Sequence, residues 1–258
     1  MEAPATPAKP VRINRWLPYW AVFQADVHQT LRSWVYRTWV LTSVLAAVGY
    51  LLYRVGVYHE AGIVQPASML VSDLLRWTVL GSVTMIIVLT VGTIVSERGT
   101  MADSVLSRGI SRHQYFLGKW HARLASVLGT FFAMGALWLV ASHFLLHEDV
   151  RLDGAAFALL TVAALLAAVI SFGVAVSAVV NSSVLGIAVL WLALSGASFL
   201  LSLLPDRIPS PDRALHHLPY ILRGQYDAAT LGRLILWALG ASVIAAGIGM
   251  AHFARRDV

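Results

Sequence analysis

From Gly154 to Pro205 the chain runs for 52 residues without Asp, Glu, Lys or Arg, and that run restricts the fold more than any other stretch. As one helix it would extend about 78 Å, against a bilayer hydrocarbon core about 30 Å thick. No single crossing accommodates it, so the run must turn back on itself. Asn181, Ser182 and Ser183 sit near its middle and supply turn chemistry. They divide it into an antiparallel pair, Ala155 to Val180 and Val184 to Leu204.

Charge gaps give four more crossings. Thr38 to Val57 is the first, with Arg54 near its far end able to snorkel toward water. Trp77 to Val95 follows with 19 charge-free residues, Leu124 to Leu146 with 23, and Leu231 to Phe253 closes the set. With 58% hydrophobic and 12% charged residues, the composition fits a polytopic membrane protein and no ordinary soluble domain. The crossings use most of the 258 residues and leave no room for a separate enzyme domain of about 100 residues. The chain has no cysteine, which excludes disulfides, thiolate metal sites and cysteine nucleophiles. The Pro- and Ala-rich start, with Lys9, Arg12 and Arg15, lacks an apolar core before a cleavage site, so a retained tail is expected rather than a signal peptide.

Cations set the expected orientation. With the N-terminus in the cytosol, the inner segments hold twelve of the nineteen Lys and Arg, and the outer segments hold seven. The acidic residues lean the other way, five inside and eight outside. The bias predicts both termini in the cytosol of a multi-pass protein of the cytoplasmic (inner) membrane. The basic balance then reflects topology and an anionic leaflet, not nucleic acid. No stripe of alternating aromatic and basic residues of the kind that stacks bases is present.

Two segments outside the crossings carry structure of their own. On a helix, Trp20, Phe23, Val27, Leu31 and Trp34 share a narrow face, while Gln24, Asp26, His28, Gln29, Arg32 and Ser33 spread over the other side. Pro18 suits its start. This amphipathic helix is expected to lie in the membrane interface and to turn into the first crossing near Arg37. The second segment, Ser96 to Arg123, is a basic stretch between two crossings. Met101 to Leu106 is expected to form a short helix broken by Gly109, and Ser111 is placed to cap another helix through Tyr115, Leu117 and Trp120 into the third crossing. Residues 1–37 are therefore read as a tail with an interface helix, and 38–258 as a six-helix transmembrane domain.

The same loop reads Glu97-Arg98, Gly99-Thr100, Ser111-Arg112 and Leu117-Gly118-Lys119, in that order and within 23 residues. It resembles the first cytosolic loop of the permease subunits of ABC-2 type transporters. The ending Phe253-Ala254-Arg255-Arg256-Asp257-Val258 is similar to their Arg-Arg-Asp tail. The resemblance covers essentially the whole chain. It implies a permease subunit, an exporter, forming the substrate path as a dimer with a second copy or a homologous permease. It further implies a separate cytosolic ABC ATPase that binds ATP and Mg, with the loop helix acting as a coupling helix in a groove of that ATPase. On this reading the coupling interface is Glu97, Arg98, Gly99, Thr100, Asp103, Arg108 and Arg112. The chain has no G-x-x-x-x-G-K-[ST], and Gly118-Lys119 is followed by Trp120, so no phosphate cradle of that kind is built here.

Other features leave alternatives open. Pro205 to Thr230 holds four prolines and the apolar patch Leu218 to Leu222, and is read either as an ordinary external loop or, by the resemblance, as short re-entrant helices capping the path. His143 and His147, four apart, and His216-His217 are candidates for a metal, although such residues usually just meet headgroups. Small residues in the fourth to sixth crossings (Gly173, Ser177, Gly186, Ser195, Gly196, Ala197, Ser198, Gly240, Gly247, Gly249) permit close helix approach, internally or between two copies. The charge-free crossings favour a path for a lipid-like or amphipathic substrate over a proton relay or ion channel. The competing functions are an integral-membrane enzyme or metal-handling protein using the outer His, Asp and Glu, and a membrane anchor for a cytosolic complex.

Overall fold

A computed structural model describes residues 16–61, 66–95, 97, 110–145, 150–203 and 210–255. The regular elements among them are helices: α1 (Leu17–Arg32), α2 (Trp34–Ala61), α3 (Ala67–Val95), α4 (Arg112–Leu145), α5 (Leu152–Val179), α6 (Ser183–Ser202), α7 (Pro211–His216), α8 (Leu218–Leu222) and α9 (Ala228–Arg255). Six of them, α2 to α6 and α9, are long and apolar enough to cross a membrane. The chain is an all-α polytopic membrane protein. The break between α5 and α6 falls at the expected polar triplet, with Val180 and Ser182 extended and Ser183 opening the next helix.

Most crossings outrun their charge-free windows. α3 begins ten residues before Trp77 and takes in Asp73 and Arg76; α4 begins twelve residues before Leu124 and takes in Lys119 and Arg123. A charge-free window marks only where no ionised group is carried, and a helix continues past it wherever the charge finds a partner. Tyr50 of α2 donates to Asp73 Oδ2 at 2.7 Å, and the two α4 cations find theirs on α1 and at the end of α3. At its start, α4 is capped as expected. Ser111 Oγ accepts from Gln114 N and Ser111 N donates to Gln114 Oε1, both at 3.2 Å, a reciprocal capping box.

α5 occupies the centre, packed on α9, α3, α4 and α8. Its buried face is largely Ala and Gly, which lets neighbours approach to backbone distance. A Cβ on Gly173 would stand 2.6 Å from Thr90 Cβ of α3, and one on Gly249 of α9 would stand 2.8 Å from Ala175 Cα. Where lipid tails are as apolar as the core, such close packing and hydrogen bonds between helices hold a bundle together. Trp120 Nε1 donates to Ser171 Oγ at 2.8 Å, and that hydroxyl shares a 2.7 Å bond with Ser242 Oγ, tying α4, α5 and α9. Trp39 Nε1 donates to Ser82 Oγ at 2.7 Å between α2 and α3. Gly196, Gly240 and Gly247 face open space instead.

α1 differs from its expected setting in where it turns. It ends at Arg32, with Ser33 extended and its hydroxyl accepting from Tyr36 N at 3.2 Å, so Ser33 rather than Arg37 marks the turn into α2. Its aromatic face is turned away from the protein, as suits a helix at the membrane interface, with Trp20 and Leu31 exposed, and the helix packs on α4 through Val22, Asp26 and Thr30. Four-residue spacing puts these three on one stripe. In a bilayer the outside is as apolar as the inside, so the aromatic face goes out and the polar stripe pairs within.

At the opposite end of the bundle, the proline-rich segment forms α7 and α8. Ser210 caps α7 and a proline lies in the first turn of each. Leu218, Ile221 and Leu222 are almost wholly buried in the main core, against residues of α3 and α5. Arg151 N donates to Leu222 O at 2.9 Å, and a Cβ on Gly154 would lie 2.8 Å from Leu222 O and inside contact distance of Ile221 O. Gly224 leaves α8 at φ 77°, a left-handed backbone that favours glycine.

Candidate functional site

The polar groups that sequence patterning leaves unexplained converge where α1, the end of α3 and the start of α4 meet. On α4, Tyr115, Lys119 and Arg123 recur every four residues and so share one face. α1 brings Asp26 and Thr30, and α3 brings Thr93 and, two residues past its end, Glu97. Gly118 makes the approach possible, because a Cβ there would stand 2.8 Å from Val22 Cγ1 and 3.3 Å from Tyr19 O.

Lys119 lies between two carboxylates, its Nζ 3.0 Å from Asp26 Oδ1 and 2.7 Å from Glu97 Oε1. The other Glu97 oxygen accepts from Tyr115 Oη at 2.6 Å. Arg123 Nε donates to Thr93 Oγ1 at 2.8 Å, and its NH1 donates to Thr30 Oγ1 at 2.6 Å. Arg123 Nε is also 3.3 Å from Asp26 Oδ2, an ion pair not aligned as a hydrogen bond, so that carboxylate oxygen is buried without one. Two cations face two anions, and the set is therefore near neutral. Burial makes that balance necessary, since an ion without a partner there would cost several kcal/mol. Asp26 is 2% exposed and Lys119 3%, whereas the Glu97 side chain retains 16%. Glu97 is thus the wet edge of an otherwise dry cluster.

Further bonds hold the surrounding helices. Ser177 Oγ of α5 accepts from Ile94 N at 2.8 Å and Val95 N at 3.2 Å, gripping the last turn of α3 just before Glu97. Tyr19 of α1 bonds His121 Nδ1 of α4 at 2.8 Å, and burial raises the Tyr19 phenol above its usual pKa, so it stays protonated. Arg112 NH1 donates to Ala254 O at 3.1 Å in the final turn of α9, a cation at the negative end of a helix.

Of the residues expected at the coupling interface, Glu97 and Arg112 are placed and both have internal partners. Arg98, Gly99, Thr100, Asp103 and Arg108 lie outside the described residues, as does the short helix expected over Met101 to Leu106. The cluster joins the first and last members of the loop motif, Glu97 and Lys119, directly. Asp26, Thr30, Thr93, Tyr115 and Arg123 were not singled out from the sequence. The available signals were a lone acid on an aromatic helix and the four-residue rhythm of Tyr115, Lys119 and Arg123. At the other end, His216 Nε2 lies 3.2 Å from Arg76 NH2 and 3.7 Å from Asp212 Oδ2. His147 lies outside the described residues. Among the described residues no three His, Asp or Glu converge as a metal site.

A comparison with curated proteins finds no match. The profile of the family described as ABC-2 family transporter protein matches residues 67–223, from the start of α3 through α8. That is more than half of the 258 residues and includes both ends of the Glu97 to Lys119 motif. The chain belongs to the ABC-2 family of transporter proteins, as a multi-pass membrane permease.

Proposed function

We propose that this chain is the membrane half of an ABC exporter, paired with a second permease and driven by a separate cytosolic ATPase that binds ATP and Mg. On this reading it performs no hydrolysis itself. It resides in the cytoplasmic membrane with both termini, α1 and the α3 to α4 connection on the cytosolic side. The observation that carries the reading is the clamp at the root of that connection. Glu97 is bonded to Tyr115 and Lys119, so the segment that follows α3 leaves from a point fixed to α4. A connection rooted on two crossings at once supports transfer of force from a docked partner into the bundle. Crossings without a charge near their middle suit a lipid-like or amphipathic substrate.

The test uses the absence of cysteine, which makes any introduced thiol unique. A single cysteine at position 105 is expected to react with a membrane-impermeant maleimide only from the cytosolic face. Co-expression with a P-loop ABC ATPase of the same cell is expected to give a co-purifying complex, and Arg98→Glu with Arg112→Glu is expected to abolish it. Labelling at 105 from the outer face, or unchanged assembly of the double variant, would overturn the reading.

A further inference from the structure

The clamp does more than root a connection, because Lys119 is shared. Its single ammonium bonds a carboxylate that belongs to the connection, Glu97, and one that belongs to α1, Asp26. α1 has a further polar tie in Tyr19 to His121, also on α4. It packs on α4 and α2, and its buried polar groups, Asp26 and Thr30, both face the α4 cations Lys119 and Arg123.

The two carboxylates are not equivalent. Glu97 keeps 16% of its side chain exposed, so of the two carboxylates it is the one that can exchange Lys119 for water. Asp26 is dry, and its Oδ2 has no hydrogen bond, so it holds unused accepting capacity beside the ammonium. Withdrawal of Glu97 would leave two buried cations facing one anion, and the cluster would lower its energy by drawing Lys119 more fully onto Asp26. Two arrangements of one set of charges, one with Glu97 seated and one without it, form a switch whose other terminal is α1.

We infer that Lys119 is a positioning residue that passes displacement of Glu97 to Asp26, so that α1 moves as a driven element of the transporter and is no passive anchor. This rests on the ATPase-driven reading above and extends it to a helix outside the family-matched segment.

The test uses the full chain with its ATPase in nanodiscs, with paired spin labels on introduced cysteines. One pair joins exposed Gln24 of α1 to exposed Tyr220 of the α7–α8 end; the other joins exposed His113, at the start of α4, to Tyr220. Adding ATP and Mg to the wild type is expected to shift both distances, the α1 distance by about 2–5 Å. Lys119→Gln is expected to abolish the α1 shift while ATP hydrolysis continues, and Lys119→Arg, which keeps the charge, is expected to restore it. A wild-type complex in which His113 responds and Gln24 does not would overturn the inference and leave the ATPase reading intact. So would a nucleotide-driven α1 shift that persists in Lys119→Gln. No response at either pair would overturn both. The wild-type comparison decides the matter even if Lys119→Gln fails to fold.

Discussion

The two ends of this bundle are closed by opposite means. At the α1 end, four ionised groups from three elements meet in a dry, balanced cluster whose members share partners. At the α7–α8 end, closure is apolar and backbone-close, with Leu218, Ile221 and Leu222 in the main core and Gly154 under the carbonyls of α8. A charge can exchange one partner for another over a small displacement, whereas close-packed side chains have few alternative seats. The bundle is therefore held by exchangeable ionic bonds where the α3 to α4 connection leaves it and by close packing where α7 and α8 cover it.

The sharpest way to break this contrast is to unbalance the charged end. Asp26→Ala leaves Lys119 and Arg123 with one anion between them and is expected to destabilise the protein by about 3–5 kcal/mol, read as the fall in melting temperature in detergent. Adding Lys119→Met is expected to recover part of that loss, because Glu97 is wet enough to be hydrated and keeps Tyr115. A double variant worse than the sum of its parts would show that the cluster is not held by mutual charge balance.

At the packed end, Gly154→Val forces a branched side chain against the carbonyls of Ile221 and Leu222. A cost of about 3 kcal/mol is expected, the upper part of the usual overpacking range. Amide exchange should rise across 211–223 and stay unchanged in α1. Faster exchange in α1 would mean that the two ends are coupled and the contrast drawn too strongly.

Between the ends, Ser171→Ala removes the acceptor of the Trp120 indole and the partner of Ser242. About 1–2 kcal/mol is expected, chiefly from the Trp120 indole left unpaired, since Ser242 Oγ keeps its bond to Ala167 O at 3.3 Å. A neutral result would assign this middle layer to packing alone. The smallest effect belongs to the start of α9. There Asp227 accepts from Thr230 Oγ1 at 2.5 Å and from Ala229 N at 3.1 Å. The Thr230 side-chain bond, followed by the Ala229 backbone bond, holds its carboxyl below the usual range. A depressed carboxylate adds stability above its unfolded pKa of about 3.9 and loses it as the pH falls through the folded value. The difference in melting temperature between wild type and Asp227→Ala should therefore be small at neutral pH and vanish in acid. A difference that persists in acid would place the effect outside the carboxylate.

What was legible in the sequence is what local rules decide. The length of the charge-free run forced a turn near Asn181, and Ser111 with Gln114 formed the cap its position announced. The two short helices around Pro211 and Pro219 were one of two readings, offered by the family resemblance against an ordinary external loop. The cluster was not legible, since its bonds join residues 22 and 93 positions apart. Patterning separates the faces of α1 without saying which one meets protein. Giving the aromatic face to the membrane left the polar face without a stated neighbour, and so Asp26 read as a peripheral polar residue. Glu97 stood out by its motif, but spacing alone does not tell a carboxylate aimed at a partner from one bonded to its own helices.

The long reach of the Asp26 bond also orders assembly. Asp26 leaves the ribosome 93 residues before Lys119, so for much of synthesis it has no counter-ion and must stay in water. α1 can take its seat only after α4 has entered the bilayer. α1, the earliest of the described helices to be made, therefore docks after α4 has followed it, and a nascent chain stopped before α4 should leave it loose at the membrane surface.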